Sequence, residues 1–409
     1  MKSFSYILYF FLFLAAIPVS CQNLKIHKNQ IYGNEIIMPG AFNTAEYLPM
    51  LRGKKIGIVA NHTSLINSTH LVDSLISSGI NVVKIFGPEH GFRGDQPDGT
   101  LISNSKDSKT GIEVISLFGN HKKPTDADLA NIEIMLFDIQ DVGVRFYTYI
   151  STLSYVMEAC AERNIPLIVF DRPNPNGFYI DGPVLEPEYS SFVGLYPVPV
   201  VYGMTVGEYA GMVNGEKWLQ GGKSCNLTVI KNVNYTHNSR YQLPVRPSPN
   251  LQDMKAIYLY PSLCLFEGTV VSIGRGTASP FKIFGHPGYV IGSFIFTPEP
   301  LKGISEDPPL KGQVCYGQNL ENAAEIIKKD GHLELFWLLE AYKVLYQSTE
   351  FFNNYFNKLA GNSTLRKQIT EGKSESEIRE SWQPDLEKFR KIREKYLLYP
   401  DFNQGLGVK

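Results

Sequence analysis

The sequence predicts an α/β protein: a Rossmann-like parallel sheet in an N-terminal domain, followed by a smaller α+β domain. Three observations predict it. Five short apolar, β-branched-rich runs recur through the first half, each bounded by turn residues. Helical patterns lie between them, and strand–helix–strand at this spacing means a parallel sheet with helices on both faces. From about Lys231 the texture changes, and residues 244 to 300 become rich in Pro, Gly and aromatics.

The predicted strands are KIGIVAN (55–61), VVKIFGP (82–88), IEVISLF (112–118), IEIMLFDI (132–139) and PLIVFDR (166–172). Helices are expected from His70 to Ser78, from Thr148 to Arg163, and from about Thr205, where Thr205 and Glu208 form a T-x-x-E capping-box pattern. In the second domain TVVSIG (269–274) reads as strand-like, and long helical patterns run over 333–347 and 374–397. The organisation expected is a leader over 1–21, an α/β domain over 30–235 and an α+β domain over 236–409.

The chain opens with Lys2 and an apolar run over residues 4–17, followed by small residues at Ser20 and Cys21. This is the pattern of a secretory signal peptide, and the run is short for a membrane span. Export is therefore expected, to the periplasm, with no transmembrane helix in the mature protein. Cys21 has two readings: the lipid-modified first residue of a lipoprotein, or a residue beside an ordinary cleavage site. Pro18 departs from the aliphatic residue usual in a lipobox. Cys160, Cys225, Cys264 and Cys315 are scattered, so no metal-binding spacing and no essential disulfide is expected. Lys and Arg number 39 against 40 Asp and Glu, which argues against nucleic acid as a partner.

In an open parallel sheet, ligands sit outside the carboxyl ends of the strands. The first run ends in Asn61-His62-Thr63. The second ends in Glu89-His90-Gly91-Phe92-Arg93. The fourth ends in Asp138-Ile139-Gln140-Asp141, with Arg145 and Tyr147 just beyond. The fifth ends in Asp171-Arg172-Pro173-Asn174. Polar and titratable groups thus converge on one edge from several strands, which predicts a site there. Each residue also has a structural reading. Asp171 could cap a turn, Asp138 could bond loop amides, and His62 and His90 could be hydrogen-bonding scaffold. Glu89 is hardest to explain structurally, because a long carboxylate at a strand tip gains nothing from packing. The second domain adds Arg246, Asn250, Glu267 and Arg275; the glycines flanking Arg275 suit close approach to an anion, or a tight turn. No GxGxxG, Walker A or GxSxG string is present, so no cofactor is called. No HxH or HExxH spacing supports a metal site.

Four strings, FGPEHGFRG, FDIQDVGVRFYTY, FDRPNPNG and IGRGTASPF, resemble the NamZ-type exo-β-N-acetylmuramidases, above all members from Bacteroidetes. The likeness runs from about residue 30 to the end. It implies a Rossmann-like domain and a smaller domain around a cleft, and release of N-acetylmuramic acid from the non-reducing end of peptidoglycan fragments. The glutamate of the family's E-H-G motif falls on Glu89. Glycoside cleavage needs a carboxyl to protonate the leaving oxygen and a second group at the anomeric carbon. With Glu89 as the acid, the second group is Asp138, Asp141, Glu267 or the substrate's own acetamido oxygen. Asp138, Asp141 and His90 are thus the further catalytic candidates. Asn61, His62, Arg93, Gln140, Arg145, Tyr147, Asp171, Arg172, Asn174, Arg246, Asn250, Glu267 and Arg275 are the substrate-binding ones. The lactyl carboxylate of muramic acid gives Arg275, Arg145 or Arg172 a partner suited to a planar fork. The competing functions are a wall-glycan-binding lipoprotein without turnover and a metal-dependent hydrolase.

Overall fold

A computed structural model describes residues 36–93 and 105–402. The leader and Cys21 lie outside these residues.

The central sheet has seven strands, in the spatial order Leu227–Ile230, Leu167–Phe170, Ile134–Asp138, Lys55–Ala60, Asn81–Gly87, Glu113–Ser116, Ser105–Lys106. All neighbouring pairs are parallel except the two-residue edge strand at Ser105, which runs antiparallel to its neighbour. The sheet is thus mixed at one edge. The five predicted runs form five of its strands; Leu227–Ile230 carries a four-residue signal too short to mark a strand in isolation.

Successive side chains of a strand point to opposite faces, and here both faces are buried. Val59, Phe86, Met135 and Phe137 pack on one side with the helices Tyr149–Arg163 and Val206–Gly215. Ile58, Ile85, Leu136 and Ile168 pack on the other with Thr44–Leu51 and Leu71–Ser77. The capping box of Thr205 and Glu208 is formed as the sequence predicts.

The second half builds a three-stranded antiparallel sheet, in the order Ile283–His286, Cys315–Asn319, Phe294–Phe296, with helices around it. The predicted terminal helices occur as Phe336–Leu345 and Glu375–Glu394. The run 269–274 is not a strand. It makes only single bridges, Thr269 to Phe352 and Ser272 to Gly285, and ends at Gly274 with φ +78°. The core on the first of these faces continues without a break into this half, through Phe266, Phe284, Phe356 and Trp382. Cys160, Cys225, Cys264 and Cys315 are buried free thiols. Among the described residues no helix is long and apolar enough to cross a membrane.

Candidate active site

The strand Lys55–Ala60 lies between Ile134–Asp138 and Asn81–Gly87. The chain leaves it first to one side and later to the other, which opens a crevice at the carboxyl ends of these strands. A cavity of about 140 Å³ lies close by. Glu89, His90, Tyr147, Thr148 and Tyr149 line it from the sheet side, and Ser248, Asn250, Glu267, Arg275 and Tyr355 from the C-terminal half.

Glu89 stands two residues beyond the end of its strand. His90 and Gly91 follow with φ +70° and +76°, and the Gly91 amide bonds the Pro88 carbonyl at 2.9 Å. A left-handed conformation is ordinary for glycine and costs a non-glycine residue on the order of 1–3 kcal/mol, so His90 holds a strained turn that fixes where Glu89 points. The half-buried Glu89 carboxylate accepts the Thr148 hydroxyl at 2.8 Å on Oε2. Its main-chain carbonyl accepts the Tyr149 hydroxyl at 3.5 Å. That phenol in turn receives the Asn61 amide at 3.1 Å, while Asn61 Oδ1 takes the amide and hydroxyl of Thr63. Asn61 therefore serves the site through Tyr149.

His62 and Tyr147 tie the two halves together. His62 Nε2 lies 2.8 Å from the Arg246 carbonyl; a carbonyl only accepts, so this nitrogen carries the proton. Burial lowers the His62 pKa; the bond to the Arg246 carbonyl opposes this, and the nearby His90 and the Arg246 charge add to the lowering. The Tyr147 hydroxyl donates to the Pro247 carbonyl at 2.9 Å. Two successive carbonyls are thereby fixed just ahead of Ser248 and Asn250. The Arg246 side chain itself is exposed beside His62.

On the opposite wall Glu267 and Arg275 form an ion pair, with Nε at 2.8 Å and Nη2 at 2.7 Å from Oε1. Glu267 Oε2 takes the Cys264 thiol at 3.5 Å. Gly274 and Gly276, at φ +78° and +77°, let the chain turn tightly on both sides of Arg275, and its guanidinium lies over the Phe281 ring at 5.1 Å. Asn353 bonds the Glu267 and Thr269 carbonyls and receives the Tyr355 amide, which carries Tyr355 to the rim. Burial raises the Tyr355 pKa, and the nearby Cys264, Glu267 and Glu89 raise it further.

The other predicted site residues are engaged elsewhere. Arg145 is fully buried, and its guanidinium donates to the carbonyls of Pro183, Val198, Leu359 and Ala360, each at 2.8 Å. Burial without a carboxylate partner lowers its pKa to about 9. It clamps the two halves and does not face the cavity. Asp138 and Arg172 form a buried ion pair at 2.6 and 2.9 Å, with Arg172 also reaching the Leu65 carbonyl. Asp171 accepts from Thr205, Gly207 and Tyr399 and joins the sheet to the chain's end. Asn174 and Gln140 bond loop backbone at Met204, Asp141 and Pro173. Arg93 turns away to Asp107, at 2.9 and 3.1 Å.

Asp141 is buried, and its Oδ2 accepts the Gly143 amide at 2.6 Å and the Tyr202 hydroxyl. Desolvation outweighs these bonds and raises its pKa to about 6. A carboxyl whose folded pKa exceeds its unfolded value stabilises the fold below about pH 4, and that contribution is lost as pH rises through about 6. Asp141→Asn should therefore gain stability relative to the wild-type chain between pH 4 and 7. Melting curves of both proteins at each pH check this; a difference that stays constant would remove Asp141 as a titrating group in this range.

Thr148, Tyr149, Tyr355 and Ser248 are cavity residues that reading strand ends did not select. Thr148 and Tyr149 stand in the same FDIQDVGVRFYTY run as Tyr147, where a hydroxyl at a helix start was available as a signal. Tyr355 has none, because only the fold of the second half brings it to the rim. Among the described residues no three His, Cys, Asp or Glu side chains gather in a metal-holding group.

Residues 56–255 match the model of the N-terminal part of the exo-β-N-acetylmuramidase NamZ, and residues 258–399 match that of its C-terminal part. The chain is 40% identical over 379 residues to the peptidoglycan β-N-acetylmuramidase NamZ of Bacillus subtilis (strain 168), covering 87% of this chain and 89% of that one. Two crystal structures of DUF1343 family proteins from Bacteroides fragilis NCTC 9343 have closely similar folds. One is 46% identical, with a TM-score of 0.84, covering 90% of this chain and 100% of the other. The second is 30% identical, with a TM-score of 0.75, covering 89% and 99%. With family models spanning most of its length and a relative of this identity, the chain belongs to the exo-β-N-acetylmuramidase NamZ family.

Proposed function

We propose that this chain is a glycosidase that hydrolyses peptidoglycan-derived saccharides and releases N-acetylmuramic acid from their non-reducing end. The observation that carries the reading is one cavity, in a chain of this family, lined by two carboxylates from opposite halves: Glu89 and Glu267. A glycosidase of the common kind needs two such groups about the scissile bond. Glu89 protonates the leaving oxygen. Of the three carboxylates considered for the anomeric centre, Glu267 is the one that lines the cavity, whereas Asp138 and Asp141 are buried away from its lining. The substrate's acetamido oxygen is the other candidate for that place. The leader pattern over residues 1–21 supports export, and a lipid on Cys21 would hold the enzyme at the membrane facing its substrate. Incubation with a defined muramic-acid-terminated disaccharide tests the function: free N-acetylmuramic acid is expected, and binding without turnover would instead make the chain a glycan-binding protein.

Arg275 is the arginine that fits the lactyl carboxylate, since it lines the cavity and Arg145 and Arg172 do not. Arg275→Ala should raise KM for a muramic-acid glycoside by about 10- to 100-fold, the loss of a charge-assisted bond of roughly 1.5–3 kcal/mol. A substrate lacking the lactyl group should suffer less. Equal losses on both would assign Arg275 only to holding Glu267.

A further inference from the structure

Among the described residues three helices are capped in the ordinary way, by a side-chain oxygen accepting the amide of the third helical residue: Thr205 from Glu208, Ser374 from Glu377 and Asp253 from Ala256. Thr148 precedes the helix Tyr149–Arg163 and makes no such cap. Its backbone is already helical, at φ −65° and ψ −9°, which turns the hydroxyl away from the first turn. The carbonyl of Thr148 is bound by the amides of Ser151 and Thr152, so the residue is anchored to its helix through the main chain. The hydroxyl reaches back to Glu89 Oε2 at 2.8 Å. The next residue, Tyr149, bonds the Glu89 carbonyl. One helix start therefore grips Glu89 at both its carboxylate and its main chain, and a β-branched side chain is stiff enough to hold that grip.

We infer that Thr148 is a positioning residue that presents the Glu89 carboxyl to the leaving oxygen and stabilises the carboxylate formed when the proton departs. The inference rests on the reading of Glu89 as the acid. In that step the bond from the anomeric carbon to the glycosidic oxygen breaks, its electron pair stays on the oxygen, the proton moves from Glu89 to that oxygen, and the anomeric carbon takes a new bond from the group facing it, Glu267 or the substrate's acetamido oxygen. Negative charge is left on Glu89. A hydroxyl donating to a carboxyl oxygen bonds more strongly as the charge grows. Thr148 therefore acts more in the transition state than in the substrate complex, and an interaction of that kind appears in kcat and not in KM.

The test compares Thr148→Val, which keeps the shape and removes the hydroxyl, with Thr148→Ser, which keeps the hydroxyl. Each is assayed on a muramic-acid disaccharide and on an aryl glycoside of N-acetylmuramic acid, with Glu89→Gln alongside. For Thr148→Val, kcat on the disaccharide should fall by about 10- to 100-fold, with KM within about twofold of wild type and a smaller loss on the aryl glycoside, whose leaving group needs little protonation. Thr148→Ser should recover most of the turnover. A loss confined to KM, an equal loss on both substrates, or no recovery with serine would overturn the positioning role. If Glu89→Gln loses disaccharide turnover and Thr148→Val does not, only the role of Thr148 fails. If Glu89→Gln keeps its turnover, the reading of Glu89 fails and that of Thr148 with it.

Discussion

Glu89→Gln should lower turnover of a natural disaccharide by about 10²–10⁴-fold, the usual contribution of a general acid, while leaving the melting temperature near wild type. The glutamine oxygen still accepts the Thr148 hydroxyl, and the half-buried side chain contributes little packing. What the change removes is the transferable proton. A substrate with a good leaving group should therefore lose less, since its bond breaks with little protonation. Equal losses on both substrates would move Glu89 to the place of a nucleophile or base and leave the acid to be sought at Glu267, across the cavity. Activity near wild type on both would end the catalytic assignment of Glu89. Kinetics on the two substrates, with a thermal melt of each protein, decide between these outcomes.

The fold was legible where burial is two-sided. Runs such as IEIMLFDI announce a parallel strand because both faces of the sheet are covered, so Ile134, Met135, Leu136 and Phe137 are all apolar whichever face they point to. Leu227–Ile230 shows the opposite case: as an edge strand its first three residues are only partly buried, so its four residues carry too little signal. The run 269–274 has strand composition yet pairs only through single bridges. Composition reports a preference for extended backbone, and pairing is decided by what the tertiary fold brings alongside.

The site was legible in part, for a related reason. Strand ends name the residues that reach the carboxyl edge of a sheet, and Glu89, His90 and Tyr147 do line the cavity. The same rule also collects residues whose task is to hold the loops, and Arg145, Asp171 and Asn174 belong to that group. A charged group at a strand end looks the same in sequence whether it faces a ligand or a neighbouring carbonyl. Only the partner distinguishes the two, and the partners of Arg145 at Leu359 and Ala360 lie more than two hundred residues away in the chain.

Asp138 gives the sharpest contrast with Glu89. Its carboxylate is fully buried and bonds Arg172 Nε at 2.6 Å and Nη2 at 2.9 Å. Desolvation works against the charge on Arg172, and the pairing with Asp138 keeps its pKa raised. Asp138→Ala would leave a buried guanidinium without its counter-charge, which destabilises a fold by roughly 3–5 kcal/mol. The expected result is a lowered denaturation midpoint and a loss of activity that follows the loss of folded protein. Replacing both partners together, as Asp138→Leu with Arg172→Met, removes the charge along with its partner. Such apolar replacements of a buried pair are often neutral or better, so the double variant should recover most of the stability. Denaturant unfolding of the wild type, the single and the double variant measures this directly. A single variant that keeps its midpoint and still loses turnover would return Asp138 to the catalytic candidates. A double variant less stable than the single one would mean that the pair contributes more through its geometry at the sheet's edge than through charge neutralisation.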